Sequence, residues 1–318
     1  MAKKIVISID SGNKNIKTEH YIFPTALSKQ ESCLNEDSGD VIKYEGKYYV
    51  NSGERLPIVK EKYTDENHFV LALFGIAKEI EKRIEDEKLV RNKKNSYEVV
   101  LLNGLPPKHY QNKALRKSFK NYFLEKSPVT FKYKGLEYHI SINEVWIGIQ
   151  GMAAAMTASN LISEDEDCIV VDIGGYTVDV LKFSEGKLDQ TKVISADMGV
   201  NRLFQNIKTE VQGLYDTTLT EKRIRDIIEG HDNSKIKLDD KIIDVIRDLA
   251  EKHVRNMLGY LEEQDLNFKT SFTIFVGGGS ITLKDYLGKS SYLGSYEILD
   301  QEENIRANAK GYKLMFRR

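Results

Sequence analysis

Cysteine is scarce: Cys33 and Cys168 are the two in 318 residues, far apart and in no C-x-x-C pair. That excludes a disulfide framework or a zinc knuckle, and a reducing cytoplasm suits such a chain. Proline is nearly as rare, five residues beside 22 glycines, so collagen-like and low-complexity classes are excluded. Charge of one sign is lacking too. Lys plus Arg numbers 47 against 48 for Asp plus Glu, leaving a formal −1. No global basic surplus therefore grips a nucleic-acid backbone or an anionic membrane, and direct DNA binding is not expected. The longest uncharged run, Val145 to Ser163, is interrupted by Gln150, Thr157, Ser159, Asn160 and two glycines, and reads as a buried helix rather than a membrane span. The apolar stretch after Lys3 and Lys4 stops at Asp10, too early for a secretory signal. Also missing are a G-x-x-x-x-G-K-[ST] loop, a dinucleotide glycine fingerprint and any H-E-x-x-H spacing among six histidines, which read as structural or surface residues.

What is present is an ordinary globular composition, 41% apolar and 30% charged, long enough for about two domains. Ile5 to Ile9, closed by Asp10-Ser11-Gly12-Asn13 and resumed by Asn15, Ile16, Lys17 and Thr18, predicts a β-hairpin. Val41 to Asn51 and Val129 to Ile142 predict two more. Val70, Leu73, Phe74, Ala77, Ile80 and Ile84 recur at helical spacing, and the charge run from Lys78 to Lys94 reads as the solvated side of that helix. After a strand from Glu98 to Leu102, Pro106 and Pro107 argue for a surface loop.

A second hairpin follows, Cys168 to Val171 running through Asp172-Ile173-Gly174-Gly175-Tyr176-Thr177 and on to Leu181, with Cys168 as a small core residue. Asp10 and Asp172 stand 162 positions apart, close to half the chain, and the same offset lays Gly12 on Gly174. Duplication is the simplest explanation. Asn201 to Val211, Thr220 to Glu229 and the repeat Ile242, Ile246, Leu249, Val254, Met257, Leu261 predict helices. Phe272 to Val276 predicts a strand entering Gly277-Gly278-Gly279-Ser280, and Glu302 to Tyr312 a last helix packing near the first domain.

Glycine turns bare their backbone N–H groups, which is what phosphate oxygens need. A carboxylate before each turn repels such an anion unless a cation intervenes, so Asp10 and Asp172 suit Mg²⁺, held through water, and Lys17 suits a terminal phosphate. Ordinary turn chemistry also explains either Asp-x-Gly alone; the pairing at half-length and the third glycine turn favour phosphate. Gln150, polar in apolar surroundings, either orients an attacking water or bonds a nearby backbone group.

In order, Asp10 to Lys17, Ile149-Gln150-Gly151, Asp172 to Asp179 and Val276-Gly277-Gly278-Gly279 resemble the phosphate 1, connect 1, phosphate 2 and adenosine motifs of the actin superfamily. Within it the chain is most similar to the ParM-like plasmid-segregation actins, through Tyr44 to Gly53, Tyr63 to Phe74, Gly104-Leu105-Pro106, Gly199-Val200-Asn201 and Ala307 to Tyr312. The resemblance implies an α/β, two-domain actin-like ATPase fold with duplicated mixed-sheet cores and a central nucleotide cleft, domain I being 1–160 plus 297–318 and domain II 161–296. It implies binding and hydrolysis of ATP, or GTP, with Mg²⁺ at Asp10 and Asp172 and with Gln150, Asp172 and Asp10 as catalytic residues. Ser11, Gly12, Asn13, Asn15, Lys17, Gly174, Gly175, Tyr176, Thr177, Gly277, Gly278, Gly279 and Ser280 would bind the nucleotide. It further implies a polar filament of this chain in the cytoplasm, coupled to plasmid DNA through a DNA-binding adaptor protein, with no membrane partner. A small-molecule kinase or a non-polymerising regulatory ATPase of the same fold is the alternative; the substrate-binding appendage of chaperone-like relatives is not expected so close to Arg318.

Overall fold

The computed structural model describes residues 4–33, 36–37, 39–57, 62–299 and 306–317, which form two compact units: residues 1–157 with 306–318, and residues 158–305. In the first unit Ile5, Ile7 and Ile9 are buried on one face of β1 (Lys4–Ser11), the two-residue period expected of a strand. β1 pairs antiparallel with β2 (Asn15–Thr18), which pairs antiparallel with β3 (Ile22–Pro24). On its other side β1 runs parallel to β7 (Ser96–Leu105), and β7 parallel to β9 (Leu136–Ile149). β4 (Ala26–Gln30), β5 (Val41–Tyr44), β6 (Lys47–Arg55) and β8 (Val129–Tyr133) extend the sheet to nine strands, in the order β3-β2-β1-β7-β9-β8-β5-β6-β4. The three hairpins read from the sequence are all present.

One face of this sheet packs on α1 (Glu66–Glu85), buried through Phe69, Val70, Leu73, Phe74, Ala77 and Ile80. Asp65 caps its start, accepting from the Asn67 N–H at 3.0 Å. The opposite face carries Val100 and Leu102 against α4 (Met152–Thr157) and the C-terminal helix, Ala307–Phe316. Residues 302–305 of the expected last helix lie outside the described residues.

The second unit repeats the core of the first. β10 (Cys168–Ile173) pairs antiparallel with β11 (Val178–Ser184), which pairs antiparallel with β12 (Lys187–Ala196). β10 also runs parallel to β13 (Phe272–Val276), and β13 to β14 (Tyr296–Ile298). The succession of strand senses in β12-β11-β10-β13-β14 equals that of β3-β2-β1-β7-β9, so the duplication is one of topology as well as of motif. Ile169, Val171 and Ile173 pack against α5 (Val200–Tyr215), α6 (Glu221–Ile228) and α7 (Asp240–Glu262). Burial pushes the Cys168 thiol up to about 12, as befits a core residue. Because β14 pairs with β13, residues 297 and 298 belong with this unit.

Three readings are corrected. Val145 to Ser163 is not one helix: Val145, Ile147 and Ile149 alternate as the end of β9, the chain turns at Gly151 with φ +76°, and only then does α4 begin. Pro106 and Pro107 do not exclude helix; Pro107 opens α2 (Pro107–Gln111), where a missing N–H costs nothing, and α3 (Lys113–Glu125) follows. The charge run is not wholly a solvated face, for α1 ends at Glu85 and Glu79 is fully buried. The main-chain N–H and the ring Nδ1 of His20 both meet Glu79, at 2.9 Å, and Arg83 lies 3.6 Å from it. Glu19 beside it is bound by Lys313 at 2.8 Å.

Two buried histidines make the fold acid-sensitive. Burial, and then the charge of Lys62, lowers His68 to about 3, and burial lowers His253. A folded-state value below the unfolded 6.5 or so means that the unfolded chain takes the proton first, so this stability is whole above that pH and is lost as pH falls below it. Between pH 6.5 and 5, His68 alone removes about 2 kcal/mol. Thermal melts at pH 7.5 and 5.0 should differ by several degrees; equal midpoints would mean the imidazoles protonate freely in the fold.

Candidate functional site

In the first unit the tight turn between β1 and β2 sets Asp10 opposite Lys17 in register. Asp10 is buried, and its two carboxylate oxygens are divided: Lys17 Nζ donates to one at 2.9 Å, Gln150 Nε2 to the other at 3.1 Å. Gln150 reaches it because β9 ends one residue earlier and its main-chain N–H is tied to Leu105 at 2.9 Å. Its amide therefore binds a carboxylate, neither a backbone group nor a helix start. The next residue is anchored too, Asn308 accepting from the Gly151 N–H at 2.9 Å.

Gly12 is required by space, since a Cβ there would sit 2.5 Å from the Asn15 carbonyl. The loop is braced from outside: Thr25 donates its hydroxyl to Gly12 at 2.7 Å and its N–H to Lys14 at 3.1 Å. Ser11 accepts from the buried Asn103 at 2.9 Å and offers its carbonyl to Lys62, whose ammonium is lowered to about 8, chiefly by burial. The Asn13 N–H has no partner among the described residues.

In the second unit the matching register position holds the opposite charge. Asp172 pairs with Asp179, which stands where Lys17 stands in the first hairpin, and both carboxylates are buried. Side chains directly opposite in an antiparallel pair lie about 5 Å apart, and like charges there repel. Thr177 donates to Asp179 at 3.3 Å, which relieves part of that repulsion. Two hard oxygen donors in one place suit a divalent cation that keeps most of its water, so Mg²⁺ fits this donor set.

Gly174, Gly175 and Tyr176 form the turn, with the Gly174 N–H on Thr177 at 2.9 Å. Their carbonyls accept from the start of α5: Gly199 to Tyr176 at 2.9 Å, Val200 to Gly174 at 3.1 Å and Asn201 to Gly175 at 2.8 Å. The Gly175 and Tyr176 amides have no partner among the described residues, an arrangement suited to an anion.

The third glycine turn divides its labour. Gly277 has φ +87°, and a Cβ there would lie 2.3 Å from Asp172 Oδ1; one on Gly279 would lie 2.4 Å from the Ile173 side chain. Both are explained by close approach to β10. Gly278 has open space around it, and Ser280 turns its hydroxyl back to Gly277 at 2.7 Å, at the start of α8 (Gly278–Thr282).

Sequence reasoning missed Lys62, Asn103 and the facing of Asp179 on Asp172. The first two come from distant strands and turns; the third was readable, since a two-strand register drawn about the glycine turn pairs 172 with 179.

The family model for the N-terminal domain of actin-like proteins matches residues 8–152, and that for the C-terminal domain of the archaeal MreB-like actin homologue matches residues 170–289. No curated protein matches the chain in sequence. Among solved structures, the archaeal actin homologue Ta0583 is 18% identical with a TM-score of 0.76, covering 100% of this chain and 99% of its own. Its complex with ADP is 17% identical at 0.72, with the same coverage. A subunit of a 15-stranded ParM filament from Clostridium botulinum is 18% identical at 0.74, covering 99% of each chain. Each half thus matches a family of actin-like proteins, and the chain shares the fold of the actin homologues along its length.

Proposed function

We propose that the chain is a cytoplasmic, filament-forming nucleoside triphosphatase that binds and hydrolyses ATP or GTP with Mg²⁺ and moves plasmid DNA through an adaptor protein. The observation that carries the nucleotide reading is the inversion of charge at equivalent register positions, Asp10 with Lys17 in one hairpin and Asp172 with Asp179 in the other. One hairpin is equipped for phosphate oxygens and the other for a divalent cation, which is the pair of tasks a metal–triphosphate substrate sets. Filament formation is taken from the ParM relative, and a DNA partner reached through an adaptor is consistent with a net charge of −1. Among the described residues no helix is long and apolar enough to cross a membrane.

Mg²⁺, when bound, would neutralise charge on the phosphate oxygens. Asp172 and Asp179 would hold it. Lys17 would stabilise charge on the terminal phosphate, and the bare amides of Asn13, Gly175 and Tyr176 would donate to the other oxygens. Gln150, held by Asp10, would orient the attacking water, so catalysis is by positioning and no covalent intermediate is needed.

Light scattering and phosphate release with Mg-ATP and Mg-GTP test the proposal together. Nucleotide-dependent scattering with turnover is expected; a chain that takes up nucleotide yet stays monomeric at high concentration refutes the filament. Gln150→Ala should slow turnover by roughly 100-fold and leave assembly largely intact. Turnover at the parental rate in that variant would remove Gln150 from the reaction.

A further inference from the structure

A half-buried lysine with no ion pair among the described residues stands beside the first hairpin. Lys62 lies in a short 3₁₀ turn, Lys62–Thr64, just before α1. That turn is firmly held, for Tyr122 donates to the Asp65 carbonyl at 2.6 Å and Asp65 caps the helix. Lys62 Nζ makes one hydrogen bond, to the main-chain carbonyl of Ser11, and no ion pair among the described residues. A cation held partly out of water against a single neutral acceptor is left under-compensated.

The surrounding charges add to the case. Lys17 on β2 repels Lys62, and Asp10 is the carboxylate that opposes it. Asp10, however, is already shared between Lys17 and Gln150. His68 on α1 and His109 on α2 are both held below their usual values by burial and then by Lys62 itself. His68 is almost fully buried and its Nδ1 has no partner. Lys62 and Lys17 thus both lie within the influence of Asp10, at the end of the strand that opens into the Gly12 turn.

We infer that Lys62 is a second lysine for the terminal phosphate of a bound nucleoside triphosphate, its ammonium turning from the Ser11 carbonyl to an oxygen that the triphosphate has and the diphosphate lacks. The inference rests on the reading of the first hairpin as a triphosphate site. Two lysines from different elements would then grip one group, Lys17 from within the hairpin and Lys62 from the turn before α1. Departure of the phosphate would return Lys62 to Ser11, so that the turn before α1 registers which nucleotide is bound.

The test is titration of the full chain with ADP and with non-hydrolysable ATP and GTP analogues in Mg²⁺, for the parent, Lys62→Met and Lys62→Arg, beside thermal melts without nucleotide. Lys62→Met should weaken the triphosphate analogue by about 10- to 100-fold and leave ADP within about twofold, with an unliganded melt no lower than the parent's. Lys62→Arg should recover part of the loss. Equal weakening of both nucleotides with a lowered melt would make Lys62 a strut for Ser11, and unchanged affinities would make it irrelevant; either overturns the inference. A parent chain that binds no nucleotide at all would instead overturn the proposed function beneath it.

Discussion

Asp172→Asn is expected to lower nucleotide turnover by about 100-fold or more, while the unliganded protein melts no earlier than the parent. Both halves follow from one contact. Asp172 and Asp179 face each other across β10 and β11, both buried, so the unliganded chain carries a repulsion that a bound cation would relieve. Asparagine keeps the shape, which matters because Gly277 packs so closely on this side chain that a Cβ would come within 2.3 Å of Oδ1. It removes the charge, and with it both the repulsion and the hold on the metal. Mg²⁺ should therefore raise the parent's melting midpoint more than the variant's. Turnover within a few-fold of the parent would exclude Asp172 from the reaction; a sharply lowered unliganded midpoint would show that its charge is structural.

The second large effect lies in the packing behind Gln150. Gly311→Ala is expected to destabilise the first unit by about 3 kcal/mol or more, because a Cβ at 311 would lie 1.7 Å from the Ala153 carbonyl oxygen and 2.3 Å from its carbon. Backbone cannot yield as a flexible side chain does, so the C-terminal helix must move off α4. Its neighbours allow little play: Tyr312 presses on Gly104 and Gly148, where a Cβ would come within 2.0 Å and 2.8 Å. Moving the helix also moves Asn308, and with it the anchor of Gly151 beside Gln150. Chemical denaturation should show the lost stability and phosphate release a slower turnover. Gly213→Ala is the control: it lies within α5 with nothing within 4 Å of its would-be Cβ, and should stabilise by up to about 1 kcal/mol. Similar midpoints for the two variants would refute the packing argument.

The hairpins were legible because Asp-x-Gly between β-branched runs has few other solutions, and α7 because its apolar residues repeat over six turns. The uncharged segment misled because absence of charge says a residue is buried without saying at what period; Val145, Ile147 and Ile149 alternate, and their β-branching was the better guide. Glu79 escaped because one glutamate in a charged run looks like its neighbours until His20, 59 positions away, closes over it. Lys62 escaped for the same reason, its acceptor lying 51 positions earlier. In the candidate site the residues on one turn were readable, and the groups delivered to that turn by distant elements were not.

The first unit is made of two separated stretches of chain, and the later one supplies the helix that packs on β1, β7 and α4. During synthesis the second unit is thus fully emerged before the first possesses its last helix. Until the last helix is made, Val100, Leu102 and Ala153 lack the cover that Tyr312 gives them. The clamp on Gly151 is among the last contacts to form, so the polypeptide acquires an anchored Gln150 only when translation of this segment is complete.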